Sequence, residues 1–312
     1  MVDWVAVVLA KKEVTYGVDS VPTEAANAIL TRNYSGKPVD LDRLDRNLDQ
    51  RIYGALASVP SNERRTISYE VEIAGSGDAG TAAPWMVLLE GCGMNAPVLT
   101  ADTDAVQNFA LPGVQASSLT QYDFMSDQRR KMIGSVGSFT LDFTAGAYPF
   151  IGFTWLGMIP AATPFSKAAP GATDLTRWQQ PVEVNIDNTE MLLGGYAVVT
   201  RSWRADASVT TAMRNLIGKR YARRGNHALT STAVVEAPDI ATKDYITTLR
   251  TGDLIEWSLT HGTVAGNIIE MASEKVQITD ITESQEDDIL MWTITLSHTV
   301  DGGADDLTIT AR

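Results

Sequence analysis

Apolar and polar residues alternate strictly along several stretches of the chain, and this pattern predicts a mainly β protein. In residues 66–73 every second side chain is apolar and the intervening ones are polar. The same alternation runs through 139–155, 181–187 and 290–297. A strand with one apolar and one polar face covers a core on one side only. We therefore expect antiparallel sheets with one face packed and one face wet.

Helical periodicity is rare and short. Thr81 as a capping residue and Pro84 near the first turn predict a helix over 81–91. A second helix is predicted at 242–249, and 209–221 is a candidate for a third. Strands occur in both halves without regular βαβ alternation. The predicted fold is therefore antiparallel β-sandwich or barrel domains, each with a short flanking α-helix.

The two halves repeat one order of elements. A length of 312 residues is enough for two cores. We predict a first domain at 1–165 and a second at 166–312. The Pro- and Ala-rich stretch 159–170 is the candidate linker between them. The repeated pattern consists of 66–73, 81–91 and 139–155 in the first half, and of 241–250, 254–260, 276–281 and 290–297 in the second.

Residues 35–51 are dense in charge and have little apolar periodicity. They precede the first clear strand, so the sequence predicts a long exposed loop. Long ordered loops are often functional. This segment is therefore a candidate contact region.

The net charge of −13 disfavours tight, sequence-blind binding to nucleic acid, which needs basic residues to neutralise phosphates. The charge is segregated in the second half. Residues 201–224 hold seven basic side chains and one acidic one, whereas 225–312 hold four basic and fifteen acidic. Two interpretations stay open: two solvated faces, or complementary surfaces that meet between subunits.

The sequence predicts no catalytic residues, no metal site and no cofactor. One cysteine, Cys92, excludes an internal disulfide and is predicted to be a small core residue, and three unpatterned histidines do not announce a metal site. Residues 75–80 fit G-x-G-x-x-G, but the preceding strand alternates, so we interpret the glycines as a flexible turn. The acidic runs 283–288 and 301–306 are predicted to be hairpin tips.

The chain shows no membrane span and no signal peptide, so the sequence favours a cytoplasmic protein. Two further function classes stay open for this sequence. One is a β-sandwich module that binds carbohydrate through exposed Trp178, Trp203 or Trp257. The other, an enzyme built on the glycine motif, has the least support.

Several short stretches, in this order and spacing, resemble one protein family over nearly the whole chain. The family is the major tail tube protein of long, flexible, non-contractile-tailed bacteriophages. The stretches are Glu13-Val-Thr-Tyr-Gly17 with Pro22-Thr23, Ser68 to Gly77, Gly80 to Trp85 leading to Leu89-Glu-Gly-Cys-Gly93, Gly137 to Asp142, His261 to Asn267, and Val276 to Ile281.

The resemblance implies a structural virion protein that forms stacked rings around a hollow tail through which DNA is ejected. Single-domain tube proteins form hexameric rings, so two domains favour a trimer with pseudo-sixfold symmetry; a hexamer with an elaborated second half stays open. Glu70, Glu72 and Asp142 are candidate lumen-lining residues, with plain outward exposure as the alternative.

The implied partners are further copies of the chain and other tail proteins: the tape measure, terminator and distal tail proteins. DNA would pass without specific binding, and no membrane is involved. Ring-to-ring contacts are expected at the N-terminal arm and the charged loop, with Lys37, Asp40, Asp42, Arg43, Asp45, Arg46, Asp49 and Arg51 as candidates. The implied location is the virion tail, assembled in the host cytoplasm.

Overall fold

The protein is mainly β and antiparallel, as predicted. A computed structural model describes residues 6–49, 51, 53–111, 117–300, 303 and 306–312. The first half contains β1 (Ala6–Lys12), α1 (Glu24–Asn27), β2 (Ala28–Ile29), β3 (Arg32–Gly36), β4 (Asp40–Leu44), β5 (Val59–Glu72), α2 (Met86–Gly91), β6 (Val98–Thr100), β7 (Asp104–Asn108), β8 (Leu119–Met125), β9 (Gln128–Thr144) and β10 (Phe150–Met158).

The second half contains eleven strands and one helix among the described residues. Its first short strand, β11, lies within the stretch predicted to be a linker. The elements are β11 (Phe165–Lys167), β12 (Thr189–Leu193), β13 (Tyr196–Ala197), β14 (Thr200–Asp206), β15 (Thr211–Leu216), β16 (Lys219–Arg224), β17 (Thr230–Glu236), α3 (Tyr245–Thr251), β18 (Leu254–His261), β19 (Ile269–Glu286), β20 (Ile289–His298) and β21 (Thr308–Ala311).

Eight strands form the main sheet, in the order β3–β5–β10–β9–β14–β17–β20–β19. Its apolar face, which includes Tyr69, Phe139 and Trp203, is buried. The opposite face is polar, because the alternation predicted from the sequence places every second residue there. One core cluster contains buried side chains from both halves.

The two halves share one pairing pattern. In the first, β5 pairs with β10, β10 with β9, and β9 with β8. In the second, β17 pairs with β20, β20 with β19, and β19 with β18. The flanking strands correspond as well: β1, β2, β3 and β11 pair as β12, β13, β14 and β21 do. A helix follows β5 and β17 alike.

Apart from β11, which crosses the predicted boundary and pairs with β9, two strand pairings join the halves. At the first, which we call the internal seam, β9 pairs with β14. At the second, the C-terminal β21 pairs with β7. The division into domains at 1–165 and 166–312 stays a prediction.

The glycine motif is a third point of contact between the halves. The Gly77 amide donates to the Gly266 carbonyl at 2.9 Å, and the Gly75 amide donates to Asn267 Oδ1 at 2.6 Å. A Cβ on Gly75 would lie 2.0 Å from the Gly266 carbonyl oxygen. These glycines therefore allow the backbones of the two halves to approach closely. They do not serve a nucleotide or a flexible turn.

Two local predictions were wrong, and one helix was predicted too long. Residues 181–187 form no strand, because Val184 pairs singly with the loop at Ala147 and the next residues turn at Asn185. Residues 209–221 are not helical but belong to the β15–β16 hairpin, whose turn contains Gly218 at φ +93. The helix predicted at 81–91 is confirmed in its second half, where it spans Met86–Gly91.

Other local predictions are confirmed. Cys92 is fully buried. The acidic run 283–288 ends in the β19–β20 turn, where Asp287 and Asp288 both have positive φ. In the second acidic run, Asp301 and Asp305 lie outside the described residues.

Candidate assembly surface

The three predicted lumen-lining carboxylates share the polar face of the main sheet. Glu70 and Glu72 lie on β5 and Asp142 lies on β9, with β10 between them. Phe150 is the register partner of both Glu72 and Asp142. The structure therefore places the three side chains on one face of the sheet, with Asp142 two strands away from Glu70 and Glu72, as the alternation predicts.

Two of these carboxylates have basic partners that sequence reasoning missed. Glu70 accepts hydrogen bonds from Arg32 Nε at 2.7 Å and from Asn33 Nδ2 at 2.9 Å. Asp142 pairs with Arg204 Nε at 2.9 Å across the internal seam. Arg32 and Arg204 carried no visible signal, because their partners lie on strands far away in sequence.

The rest of the polar face consists mostly of hydroxyl side chains. One row across the sheet runs from Thr144 through Ser202, Val234 and Thr293 to Thr282. The next row adds Thr232, Thr295 and Asp280 beside the Asp142–Arg204 pair. This face carries more acids than bases, so it offers phosphate groups few partners.

Both ends of the main sheet are open edges within the described part of the chain. β3 pairs only with β5 there, and residues 281–286 of β19 pair only with β20. Unpaired N–H and C=O groups along an edge are ready to pair with another strand. The basic residues Arg32 and Lys37 lie at the first edge, and the acidic residues Glu283 and Glu286 lie at the second.

The predicted charged loop is mostly an extended hairpin, which we call the arm (residues 37–64). Asp40–Leu44 forms β4 and pairs with the first part of β5. Sequence periodicity missed this strand because both faces of the hairpin are largely solvated. The arm carries all eight predicted contact residues: Lys37, Asp40, Asp42, Arg43, Asp45, Arg46, Asp49 and Arg51. Gln50 and Ile52 lie outside the described residues, as do Met1–Val5 of the predicted N-terminal arm; in β1, which follows, Val8, Leu9 and Ala10 are buried.

Arg64 neutralises two acids of the arm. Its Nε lies 3.2 Å from Asp40 Oδ2, and its Nη1 lies 3.0 Å from Asp42 Oδ1. Asn62 Nδ2 also donates to Asp42 at 2.8 Å, and these bonds lower the Asp42 pKa. Asp45, Arg46, Asp49 and Arg51 are exposed.

A buried ion pair holds the base of the arm. Arg65 Nη1 lies 2.5 Å from Asp123 Oδ1, and both side chains are almost completely buried. Tyr34 donates its hydroxyl to Asp123 Oδ2 at 2.9 Å, and burial raises the Tyr34 pKa. The sequence hid this pair, because Asp123 lies in a strand whose other residues are buried.

The corresponding hairpin of the second half, β15–β16, is held against the first half. The Tyr16 hydroxyl accepts from the Ala222 amide at 2.7 Å and donates to the Ala222 carbonyl at 2.8 Å. Arg224 donates to the Glu90 and Gly91 carbonyls at the end of α2. Burial raises the pKa of Tyr16 to about 12.

The tryptophans proposed for carbohydrate binding do not form an exposed platform. Trp203 and Trp257 are buried and stack with ring centroids 4.6 Å apart. Trp178 packs against the core and donates Nε1 to the Ala28 carbonyl at 3.2 Å. The exposed-tryptophan hypothesis was therefore wrong.

Titratable side chains of the described residues do not gather into a metal site, and none of the described helices is long and apolar enough to span a membrane. Burial lowers the pKa of His261 and of His298 to about 4. The Cys92 thiol has a raised pKa for the same reason.

The fold and its surface define a structural β protein that offers sheet edges, a polar face and a projecting arm. The sequence model described as phage tail tube protein matches residues 4–310. The chain therefore belongs to the phage tail tube protein family, and its role is structural, as a virion component that self-assembles in the tail. No match was found among curated proteins. The expectation that the chain has no enzymatic activity stays a prediction.

Proposed function

We propose that three copies of the chain close into a ring with pseudo-sixfold symmetry, and that each half, 1–165 or 166–312, occupies one of six equivalent positions. The internal seam is the observation that carries this proposal. It joins the two halves of the chain, which share one pattern of strand pairing, through the antiparallel contact between β9 and β14. One chain thus already contains one half-to-half junction of such a ring, and the other junctions form between copies.

The register of the internal seam gives the register between copies. Arg204 lies opposite Asp142 in the seam. Matching the strand pairings of the two halves places Ser35 where Arg204 lies and, counting the β-bulge at Ile278–Asp280, Ser284 where Asp142 lies. We therefore pair β3 of one copy with the end of β19 of the next, around Ser35 and Ser284. The basic residues of the first edge then meet the acidic residues of the second.

In this ring the polar face of the main sheet lines the lumen, with Glu70, Glu72 and Asp142 among the lining residues. Its hydroxyl-rich, acidic surface lets DNA pass without holding it, since phosphates find few cations there. The ring closes the two open edges, which removes their tendency to pair with other chains.

The rings stack through the arm, whose charged residues make ring-to-ring contacts. We assign the tube to a long, non-contractile tail that is assembled in the host cytoplasm. Its ends and lumen meet the tape measure, terminator and distal tail proteins.

Cysteine cross-linking with electron microscopy tests the ring. Residues directly opposite in an antiparallel pair have Cα atoms about 4.5–5.5 Å apart, within the range of a disulfide. We expect oxidised Ser35→Cys/Ser284→Cys protein to run as covalent trimers under denaturing, non-reducing conditions. The single variants are the controls, since Cys92 is buried.

End-on images of the same preparation should show six density lobes from three chains. Rings of six chains with one half on the outside would disprove the trimer. Absence of rings under all conditions would disprove the assembly itself.

A further inference from the structure

An apolar groove lies at the end of the main sheet where the β9–β10 loop begins. It has a volume of about 590 Å³ and is lined by residues from 143–145, 184–191, 197–201 and 259–263, among others. Buried Phe143, Trp203 and Leu259 contribute to its lining. Ile186 at its rim is 95% exposed, and Val199 is 62% exposed. A groove of this size accommodates several side chains, so we call it the Ile186 groove.

The arm carries apolar side chains that nothing in the described structure covers. Leu44, Leu48, Tyr53, Leu56 and Val59 are all exposed, and Tyr53 is fully so. Single exposed apolar residues are normal, but a group of them on one projecting segment is typical of an interaction site.

The arm and the Ile186 groove lie at opposite ends of the main sheet. The arm leaves the sheet below Arg65, which pairs with Gly157 of β10. The groove lies beyond Thr144, which pairs with Ser202 at the other end of the strands. Two different surfaces at opposite ends produce a head-to-tail contact, which repeats without closing. The six paired residues Val59–Arg64 extend the arm by about 20 Å at about 3.3 Å per residue.

The charges of the two surfaces are complementary. In the arm, Arg64 pairs with Asp40 and Asp42. The arm tip carries three exposed arginines, Arg43, Arg46 and Arg51, against two exposed aspartates, Asp45 and Asp49. In the groove, Arg201 pairs with Glu286 at 2.9 Å, while the carboxylates of Asp187 and Glu190 are exposed. The arm tip is therefore slightly basic and the groove rim is acidic, so their charges are complementary.

We propose that the Ile186 groove is the receptor for the arm of a second copy of this chain, in the next ring of the stack. This inference rests on the proposed ring assembly and names the surface that receives the arm. Apolar arm side chains enter the groove, and the arm arginines face Asp187 and Glu190 at its rim.

Cross-linking along the tube axis tests the contact. Each copy has one arm and one groove, so oxidised Leu48→Cys/Ile186→Cys protein should give a ladder of covalent oligomers beyond the trimer. Neither single variant should give it. Wild-type protein and the Ser35→Cys/Ser284→Cys pair report separately on whether rings form.

The second experiment introduces a charge into the groove and measures tube formation. Ile186→Asp should leave rings intact and lower the fraction of protein in sedimentable tubes at least tenfold. The matched control is Ile217→Asp, an equally exposed isoleucine at the β15–β16 tip. Its tubes should form normally.

Rings and tubes that form without the ladder, together with normal tubes from Ile186→Asp, would overturn the arm-to-groove contact and leave the ring proposal intact. Loss of stacking in Ile217→Asp instead would assign the groove to the other hairpin. Failure of the wild-type protein to form rings would count against the proposed function itself.

Discussion

The arm and the β15–β16 hairpin occupy the same place in the two halves, yet they are held in opposite ways. The β15–β16 hairpin is tied to the first half by Tyr16 and by Arg224 at the end of α2. The arm is held at its base by Arg65 and Asp123, and its described residues from Asp42 to Pro60 are exposed except for Ser58. One repeated element can therefore stabilise its own chain in one copy and remain available to a neighbour in the other.

The largest expected effect comes from the base of the arm. Asp123→Ala leaves the buried Arg65 guanidinium without its carboxylate, and removing one partner of a buried pair costs about 3–5 kcal/mol. We expect a matching loss in the free energy of unfolding by urea, and faster trypsin cleavage in the arm than in β15–β16. An Arg65→Met/Asp123→Leu double variant should recover much of the stability, since neither charge is then left alone. Equal stability of Asp123→Ala and wild type would contradict this role.

The next-largest effect is a loss of stability in acid, which originates in the second half. The two histidines with lowered pKa values, His261 and His298, both belong to that half. Both have folded pKa values of about 4, against about 6.5 when unfolded. Their neutral forms therefore contribute fully above pH 6.5, and the contribution is lost as the pH falls towards 4. The loss approaches about 3 kcal/mol per histidine, at 1.36 kcal/mol per pH unit.

Urea unfolding between pH 7.5 and 4.5 measures this effect. His298→Gln preserves a polar group opposite Ser231 and should show a shallower pH dependence than wild type. An unchanged slope in the variant would show that His298 does not carry it.

The smallest effect concerns the anchor of the β15–β16 hairpin. Tyr16→Phe removes one hydroxyl that bonds both the Ala222 amide and its carbonyl. A buried backbone group without a partner costs about 1–3 kcal/mol. We expect a loss in that range, and faster hydrogen exchange at Ala222 with no change in the arm. Tyr148→Phe, at an exposed tyrosine of the β9–β10 loop, is the control.

The sequence predicted the strands that alternate strictly, such as β5, β9 and β20, because half-buried strands record their environment in every second residue. Alternation misled at residues 181–187, where the chain turns at Asn185 and Ile186 is exposed. Alternation gave no signal for β4, because both faces of that strand are largely solvated.

The sequence predicted only those parts of the candidate site that depend on neighbouring residues within one strand. Glu70, Glu72 and Asp142 share a face because the alternation of their own strands places them there. The pairs Asp142–Arg204 and Arg65–Asp123 join strands distant in sequence, and nothing in one sequence specifies such partners. The open edges at β3 and β19 likewise emerge only once the strand order is known.

Because the arm and the Ile186 groove lie at opposite ends of the strands, a head-to-tail stack of this chain is a polar filament. One terminus presents arms and the other presents grooves. A capping protein that fits one terminus has the wrong shape for the other, so the two ends require different binding partners. Growth at the two termini also proceeds through different encounters and therefore at different rates.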